Sequence, residues 1–163
     1  MQTVKFDDRM YFKSELLGEI PGIVHCFTSK NGGESSGKIN GLNLGFRVGD
    51  DCNSVVANYR HVASDLGFSE KRMTAAKQTH STDIVVVTDE NAGCGVSRLS
   101  ETFEADGLVT NLSNSPIGVF YADCVPILLA DTTAKVVAAV HSGWRGTVGK
   151  IAEKAINFMC DNF

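Results

Sequence analysis

The sequence predicts an α+β fold, a mixed β-sheet with flanking helices, and three features of the 163-residue chain carry that expectation. Two segments place apolar residues at helical spacing. Several short apolar runs rich in β-branched residues are bounded by Gly, Pro and polar punctuation. The helical and strand-like segments also fail to alternate regularly, as they would in a parallel βαβ fold. With 43% hydrophobic residues and a mean hydropathy of −0.02, the chain has enough apolar material to bury a core, and one domain over residues 1–163 is expected.

In chain order, "MYFKSELL" and "GIVHCF" read as short strands on their β-branched and aromatic content. "TSKNGGESSGKINGLN", from Thr28 to Asn43, follows neither period and reads as a loop or irregular hairpin of a length that is often functional. In "DDCNSVVANYRHVASDLGF", Val55, Val56, Tyr59, Val62, Ala63 and Leu66 fall on one helical face, with Asn53 as N-cap and Gly67 as the stop. "MTAAKQ", "DIVVVT", "ADGLVT", "IGVFYADCVPILLAD" and "KVVAAVH" follow as strands, several of them buried on both faces. The last segment, "TVGKIAEKAINFMCDNF", predicts one amphipathic helix. Its apolar stripe is Val148, Ile151, Ala152, Ala155, Ile156 and Met159, and Lys150, Glu153, Lys154 and Asn157 form its wet side.

Charge and cysteine usage narrow the function classes. A net charge of −4 without a Lys/Arg cluster gives no electrostatic footprint for nucleic acid or an anionic membrane, which points to a small ligand. "MQTVKFDDRMYF" has Asp7 and Asp8 where a signal peptide needs an unbroken apolar stretch, and no run approaches a membrane span. Five cysteines, an odd number with no CxxC, do not form a secreted disulfide framework. Reduced thiols and a cytoplasmic location are expected.

The chemistry concentrates in "HSGWRG", residues 141–146, which follows a strand and opens a helix. Backbone N–H groups at such a turn, with Arg145, can hold an anion such as phosphate. The alternative is a tight turn permitted by glycine, with Trp144 filling core. His80, in "KQTHS", sits between two strand-like runs and Cys124, in "YADCVP", lies near Pro126 in the apolar run from Ile117 to Ala130, each where a strand could deliver it to a common rim. Together with His141 they are the imidazole and thiolate donors that suit zinc, and three protein ligands leave the open fourth position of a catalytic site. Their spacing is too loose to identify a metal site by itself. The same residues without metal would make a cysteine hydrolase or amidase, Cys124 the nucleophile and His141 its base. His25 and His61 read as structural.

"FTSKNGG", "GLNLG", "VGDD", "NYR", "KQTHS", "EADGLVT", "ADCVPILLAD" and "HSGWRGT" occur in this order. Together they resemble the family once named multicopper polyphenol oxidase or laccase-domain proteins, now the purine nucleoside phosphorylase and peptidoglycan-editing-factor family. The resemblance runs from about Phe27 to Ile156, with "ADC.P" and "H.GWRG" its most specific parts. It implies a zinc ion held by His80, Cys124 and His141, with Cys124, His141 and Arg145 in the catalytic apparatus. It further implies phosphorolysis of adenosine, inosine and methylthioadenosine, deamination of adenosine, and a role in keeping the wrong amino acid out of peptidoglycan precursors. Purine nucleosides and phosphate are then the small-molecule partners.

Asn43, Arg60 and Gln78 match polar family positions and are candidate substrate-binding residues, each equally suited to a turn or helix surface. Asp106 and Asp123 are expected to hold neighbouring backbone by hydrogen bonds. The zinc-deaminase signature H-x-E with P-C-x-x-C is absent, so deamination would need a different construction. Laccase chemistry needs a trinuclear cluster fed by many further histidines, and this chain has four in all, although one copper ion suits a His-Cys-His site. Lys30, Gly41 and Ser142 depart from the Arg, Ser and Ala common among relatives. Relatives also continue past the final helix. The expectation is therefore a domain lacking the family's C-terminal segment that retains the His-Cys-His pocket, self-associates through an unpaired edge or is marginally stable, and has weakened activity.

Overall fold

The computed structural model describes all residues, Met1–Phe163, which fall into two compact units, Met1–Phe68 and Ser69–Phe163. The α+β class with mixed strand pairing is the one the chain adopts. No helix is long and apolar enough to cross a membrane.

In the first unit, β1 (Gln2–Phe6) and β2 (Arg9–Lys13) form an antiparallel hairpin that pairs Phe6 with Arg9, and β3 (Phe27–Thr28) adds to β2. The strand expected over "MYFKSELL" stops at Ser14. Its hydroxyl accepts from the Leu17 amide and caps a short helix, α1 (Glu15–Gly18), because a Ser side chain there satisfies a helix N–H that a strand would leave to a neighbour. "GIVHCF" is likewise mostly not strand. His25 Nε2 accepts the Ser14 amide at 2.8 Å, the structural role expected of it.

Helix α2 (Cys52–Leu66) buries Val55, Tyr59, Val62 and Ala63 as its period predicts, and left-handed Gly67, at φ 76°, ends it. Its N-cap is Asp51, not Asn53. Asp51 has extended backbone and its carboxylate accepts the Ser54 amide at 3.0 Å, whereas Asn53 is already inside the helix. Tyr11, Leu42 and Val62 form the core of this unit.

The loop from Thr28 to Asn43 is ordered by Asn58, a fully buried polar residue on the same helical face. Asn58 Oδ1 accepts the Glu34 amide at 2.7 Å, and its Nδ2 donates to Ser35 Oγ at 2.9 Å and to the Asn43 carbonyl at 2.8 Å. Buried backbone needs such partners.

Asp65, also on α2, accepts Tyr11 Oη at 2.6 Å and Arg9 Nε at 2.7 Å. Burial pushes its carboxyl up, but the hydrogen bonds and charge of Arg9 and Tyr11 outweigh it, and the net direction is below the ordinary value of 3.8. A group depressed in the folded state stabilises above its unfolded pKa and loses that contribution as pH falls through its folded value. Thermal melts across the acid range should therefore show Asp65→Asn with lower stability than wild type at neutral pH. The difference should shrink as pH drops below 3.8; a gap independent of pH would contradict this account of Asp65.

The second unit is organised by a four-stranded sheet of order β5-β6-β9-β8. β5 (Ile84–Val86) runs parallel to β6 (Gly107–Thr110), and β9 (Val136–Ser142) is antiparallel to both β6 and β8 (Val125–Asp131). A smaller parallel pair joins β4 (Thr74–Ala75) to β7 (Ile117–Gly118). β6 and β9 are buried on both faces, as expected of their unbroken apolar runs. Pro126 is tolerated because β8 is an edge strand. On one face Val109, Val136, Ala138 and Val140 pack with Ile151, Ala155 and Met159; on the other, Leu108 packs with Val87, Ala92 and Ala105.

The C-terminal segment is not one helix. α3 (Trp144–Val148) and α4 (Ile151–Asn162) are separated at Gly149 and Lys150, the latter left-handed at φ 59°. A side chain at 149 would lie 2.7 Å from Thr82 Cγ2, so the chain passes closely there and changes direction. The break alters the expected stripe. Ile151, Ala155 and Met159 are buried and Ala152 is half-buried, but Val148 is 77% and Ile156 51% exposed.

Candidate metal centre

Sheet topology brings the chemistry to one end. β5 and β6 are parallel, so the residues preceding each share a sheet end; β9 runs back and finishes there, and β8 starts there. The pairings Gly107 with Val140 and Pro126 with His141 fix the register. Asp106 thereby comes beside His141, and Cys124, one residue ahead of β8, beside the end of β9. Alternation along the strands puts residues 106, 108, 139 and 141 on the same face.

His80, Cys124 and His141 converge there, each offering a ligand atom within 4.8 Å of the others. Cys124 Sγ lies 3.9 Å from His80 Nε2. The two imidazoles are nearly perpendicular, at 89°, with ring centroids 4.9 Å apart. His141 is buried, Cys124 half-buried and His80 exposed, so the cluster opens toward solvent on the His80 side.

Asp106 holds this arrangement from below, its side chain wholly buried. Its Oδ1 accepts His141 Nδ1 at 2.7 Å and the His80 amide at 3.0 Å. Its Oδ2 accepts the Thr79 and Ser81 amides at 3.1 and 2.8 Å and the Ser81 hydroxyl at 3.0 Å. Burial raises the Asp106 carboxyl pKa, but these donors, His141 foremost, outweigh it and hold the group ionised below the ordinary carboxylate range. An ionised carboxylate only accepts, so Nδ1 carries the proton and the Nε2 lone pair of His141 is left for a ligand. The same amide bonds pin His80 in left-handed backbone, at φ 61°.

Gly143 closes the floor. A Cβ there would lie 2.8 Å from His80 Cδ2, 3.3 Å from Cys124 Sγ and 3.5 Å from His141 Cε1. Gly143→Ala is expected to push these side chains apart and weaken metal binding by roughly tenfold or more while leaving the fold intact, as equilibrium dialysis with zinc would measure. Undiminished affinity would show that the ring of His80 moves aside without cost. The turn itself is held by Thr147 Oγ1, which donates to the Gly143 carbonyl at 2.9 Å and bonds Ser142 Oγ at 2.8 Å.

Arg145 is exposed, its guanidinium carbon 5.3 Å from the centroid of the Trp144 ring; Trp144 is 71% exposed and fills no core. Gln78 directs both ends of its amide at the Phe120 backbone, at 2.7 and 2.6 Å. Asn43, in the first unit, bonds Gly45 and Asp50, and Arg60 is on the exposed face of α2. Asp123 is exposed, with left-handed backbone at φ 75° next to Cys124. The role of Gly143 escaped the sequence reading, although a glycine two residues after a candidate ligand was its only available signal.

Comparison with known proteins places these features in a wider set. A family model described as multi-copper polyphenol oxidoreductase laccase matches residues 24–163. A purine nucleoside phosphorylase, YlmD of Geobacillus stearothermophilus, is 40% identical over 132 residues, covering 80% of this chain and 48% of that protein. Adenosine deaminase RL5, from an unknown prokaryotic organism, is 34% identical over 149 residues, covering 91% of this chain and 57% of its own. The crystal structure of the Geobacillus YlmD superposes with a TM-score of 0.84 at 34% identity, covering 94% of this chain and 56% of the other. The chain thus spans about half the length of the curated relatives it matches.

Proposed function

The chain belongs to the multi-copper polyphenol oxidoreductase laccase family, and we propose that its His80, Cys124 and His141 hold zinc in a site for phosphorolysis of adenosine, inosine and methylthioadenosine, with adenosine deamination as a second activity. The observation that carries this reading is the convergence of two imidazoles and a thiol over a buried carboxylate that accepts a hydrogen bond from His141 Nδ1 and so leaves the Nε2 lone pair for a ligand. Relatives named as purine nucleoside phosphorylase and adenosine deaminase supply the substrate class.

The donor set fits zinc by chemistry: neutral imidazole nitrogen and thiolate sulfur, with the outer histidine nitrogen bonded to a carboxylate. When bound, zinc supplies a Lewis acid that lowers the pKa of a coordinated water toward ~7. The chain's own residues do the remaining work. Asp106 keeps the His141 ring from rotating and fixes the His80 backbone, and Gly143, without a side chain, leaves room for the three ligand side chains. Arg145, exposed and stacked on Trp144, supplies a permanent positive charge for phosphate at little cost in side-chain freedom. Arg145→Ala is therefore expected to lower phosphorolysis by on the order of 2 kcal/mol and deamination by less; equal losses in both assays would make Arg145 structural.

Laccase chemistry does not fit this chain. Two of its four histidines are engaged elsewhere, His25 with the Ser14 amide and His61 with Glu34, so no trinuclear copper cluster has its ligands here, although a single copper ion suits the same three donors. A metal-free hydrolase draws on one observation: Asp106 orients His141 as the carboxylate of a catalytic triad orients its base. Editing of peptidoglycan precursors rests on the family resemblance alone. The deciding assay is inosine cleavage with and without phosphate, before and after chelation. The expected result is phosphate-dependent cleavage, lost on chelation and restored by zinc. Phosphate-independent cleavage that survives chelation would put the Cys124–His141 hydrolase in its place.

A further inference from the structure

We propose that Gln78 is a positioning residue for the metal cluster, its amide strapping the loop that carries Cys124 to the segment that carries His80; the inference rests on the metal reading above. Gln78 Nε2 donates to the Phe120 carbonyl at 2.7 Å, and Gln78 Oε1 accepts the Phe120 amide at 2.6 Å. One side chain thus occupies both backbone groups of a residue 42 positions away.

The three ligands are held by different means. His141 lies within β9, opposite Pro126 of β8, and its amide donates to the Asp106 carbonyl at 2.7 Å on the other side. His80 follows Gln78 by two residues in a segment pinned by Asp106 through three amides. Cys124 stands outside the ladder: β7 ends at Gly118 and β8 begins at Val125, and the residue before Cys124 is left-handed. The Asp106 side chain bonds Thr79, His80, Ser81 and His141. The strap at Phe120 therefore couples the segment that carries Cys124 to the His80 segment, which Asp106 organises together with His141. Two-point hydrogen bonding from a planar amide fixes the separation and the relative tilt of the two segments, which single contacts do not. Because the strap is at the surface, where water competes for the same groups, its contribution to global stability is small. Its contribution to the preformed spacing of three ligands is not.

The test is titration with cobalt(II), followed by the thiolate-to-cobalt charge-transfer absorption, which reports bound Cys124 independently of activity. Gln78→Met keeps the side-chain length and removes both bonds. It should retain the wild-type circular dichroism and melting temperature, bind cobalt roughly 10- to 100-fold more weakly, and show less charge-transfer absorption per bound ion, because Cys124 is the ligand set loose. Lys77→Ala, the adjacent surface change, should bind as wild type. Wild-type affinity and absorption in Gln78→Met would overturn the proposal, as would an equal loss in Lys77→Ala. If Gln78→Met does not fold, Gln78→Glu serves: it keeps the acceptor for the Phe120 amide and loses the donor to the Phe120 carbonyl. An intermediate affinity supports the strap and an unchanged one overturns it. Absence of the charge-transfer band in the wild-type protein would overturn the metal reading, and the strap with it. That failure is distinct from loss of the Gln78 effect in a protein that binds cobalt.

Discussion

Cys124→Ser is expected to remove metal and phosphorolytic activity together while leaving the fold in place. The thiol sits 3.9 Å from His80 Nε2 as one of three converging donors. A serine hydroxyl at the same point does not ionise near neutral pH and is a harder, weaker donor to a borderline-soft ion. Zinc affinity should fall on the order of a hundredfold or more, and inosine cleavage with it. Cys124 lies just outside β8 and is half-buried, so the melting temperature of the metal-free protein should barely change. In a metal-free hydrolase the same substitution would abolish turnover without altering zinc content, since there would be none to lose. Metal analysis and activity measured on one preparation therefore distinguish the two readings.

Asp106→Ala is expected to do more damage, because it strikes structure and site at once. The wholly buried carboxylate accepts from the amides of Thr79, His80 and Ser81, from Ser81 Oγ and from His141 Nδ1. Alanine leaves these donors unpaired in a site with little access to water. Breaking such a network typically costs about 3–5 kcal/mol. Asp106→Asn is the finer probe. Its amide nitrogen can only donate, so at least one donor now facing Asp106 meets another donor. If that nitrogen faces His141, the ring is driven to the opposite tautomer and its Nε2 no longer offers a lone pair. Chemical denaturation should show Asp106→Asn destabilised less than the alanine variant, yet impaired in zinc binding by a comparable factor. Wild-type zinc affinity in Asp106→Asn would show that the carboxylate is a folding element only.

What the sequence made legible follows the range of the forces involved. Local periodicity identified α2 and its buried Val55, Tyr59, Val62 and Ala63, and the unbroken apolar runs of β6 and β9 signalled burial on both faces. Local chemistry misled where one residue overrides a pattern. Ser14 turns a strand-like run into a helix cap, and Gly149 with left-handed Lys150 splits the last helix and leaves Val148 in water. Asn58 was hidden because a polar residue on an apolar face counts against the period, although its register beside Val55 and Val62 is that of a buried position.

The three candidate ligands were nameable from residue type and family resemblance. Their convergence was not, because it depends on strand order: a parallel β5–β6 pair with β9 and β8 returning to the same end. Asp106 was anticipated as a hydrogen-bonding support, and it is one. The part of Gly143, whose missing side chain leaves space for the cluster, emerges only once those long-range pairings are known.

His80, Cys124 and His141 are proposed to hold one zinc ion together. Elemental analysis of the purified protein tests it most directly, with Cys124→Ser and His141→Ala prepared in parallel. About one zinc per wild-type chain is expected, and a small fraction of that in either variant. Wild-type protein that cleaves inosine with no metal above background, or variants that keep a full complement of zinc, would contradict it.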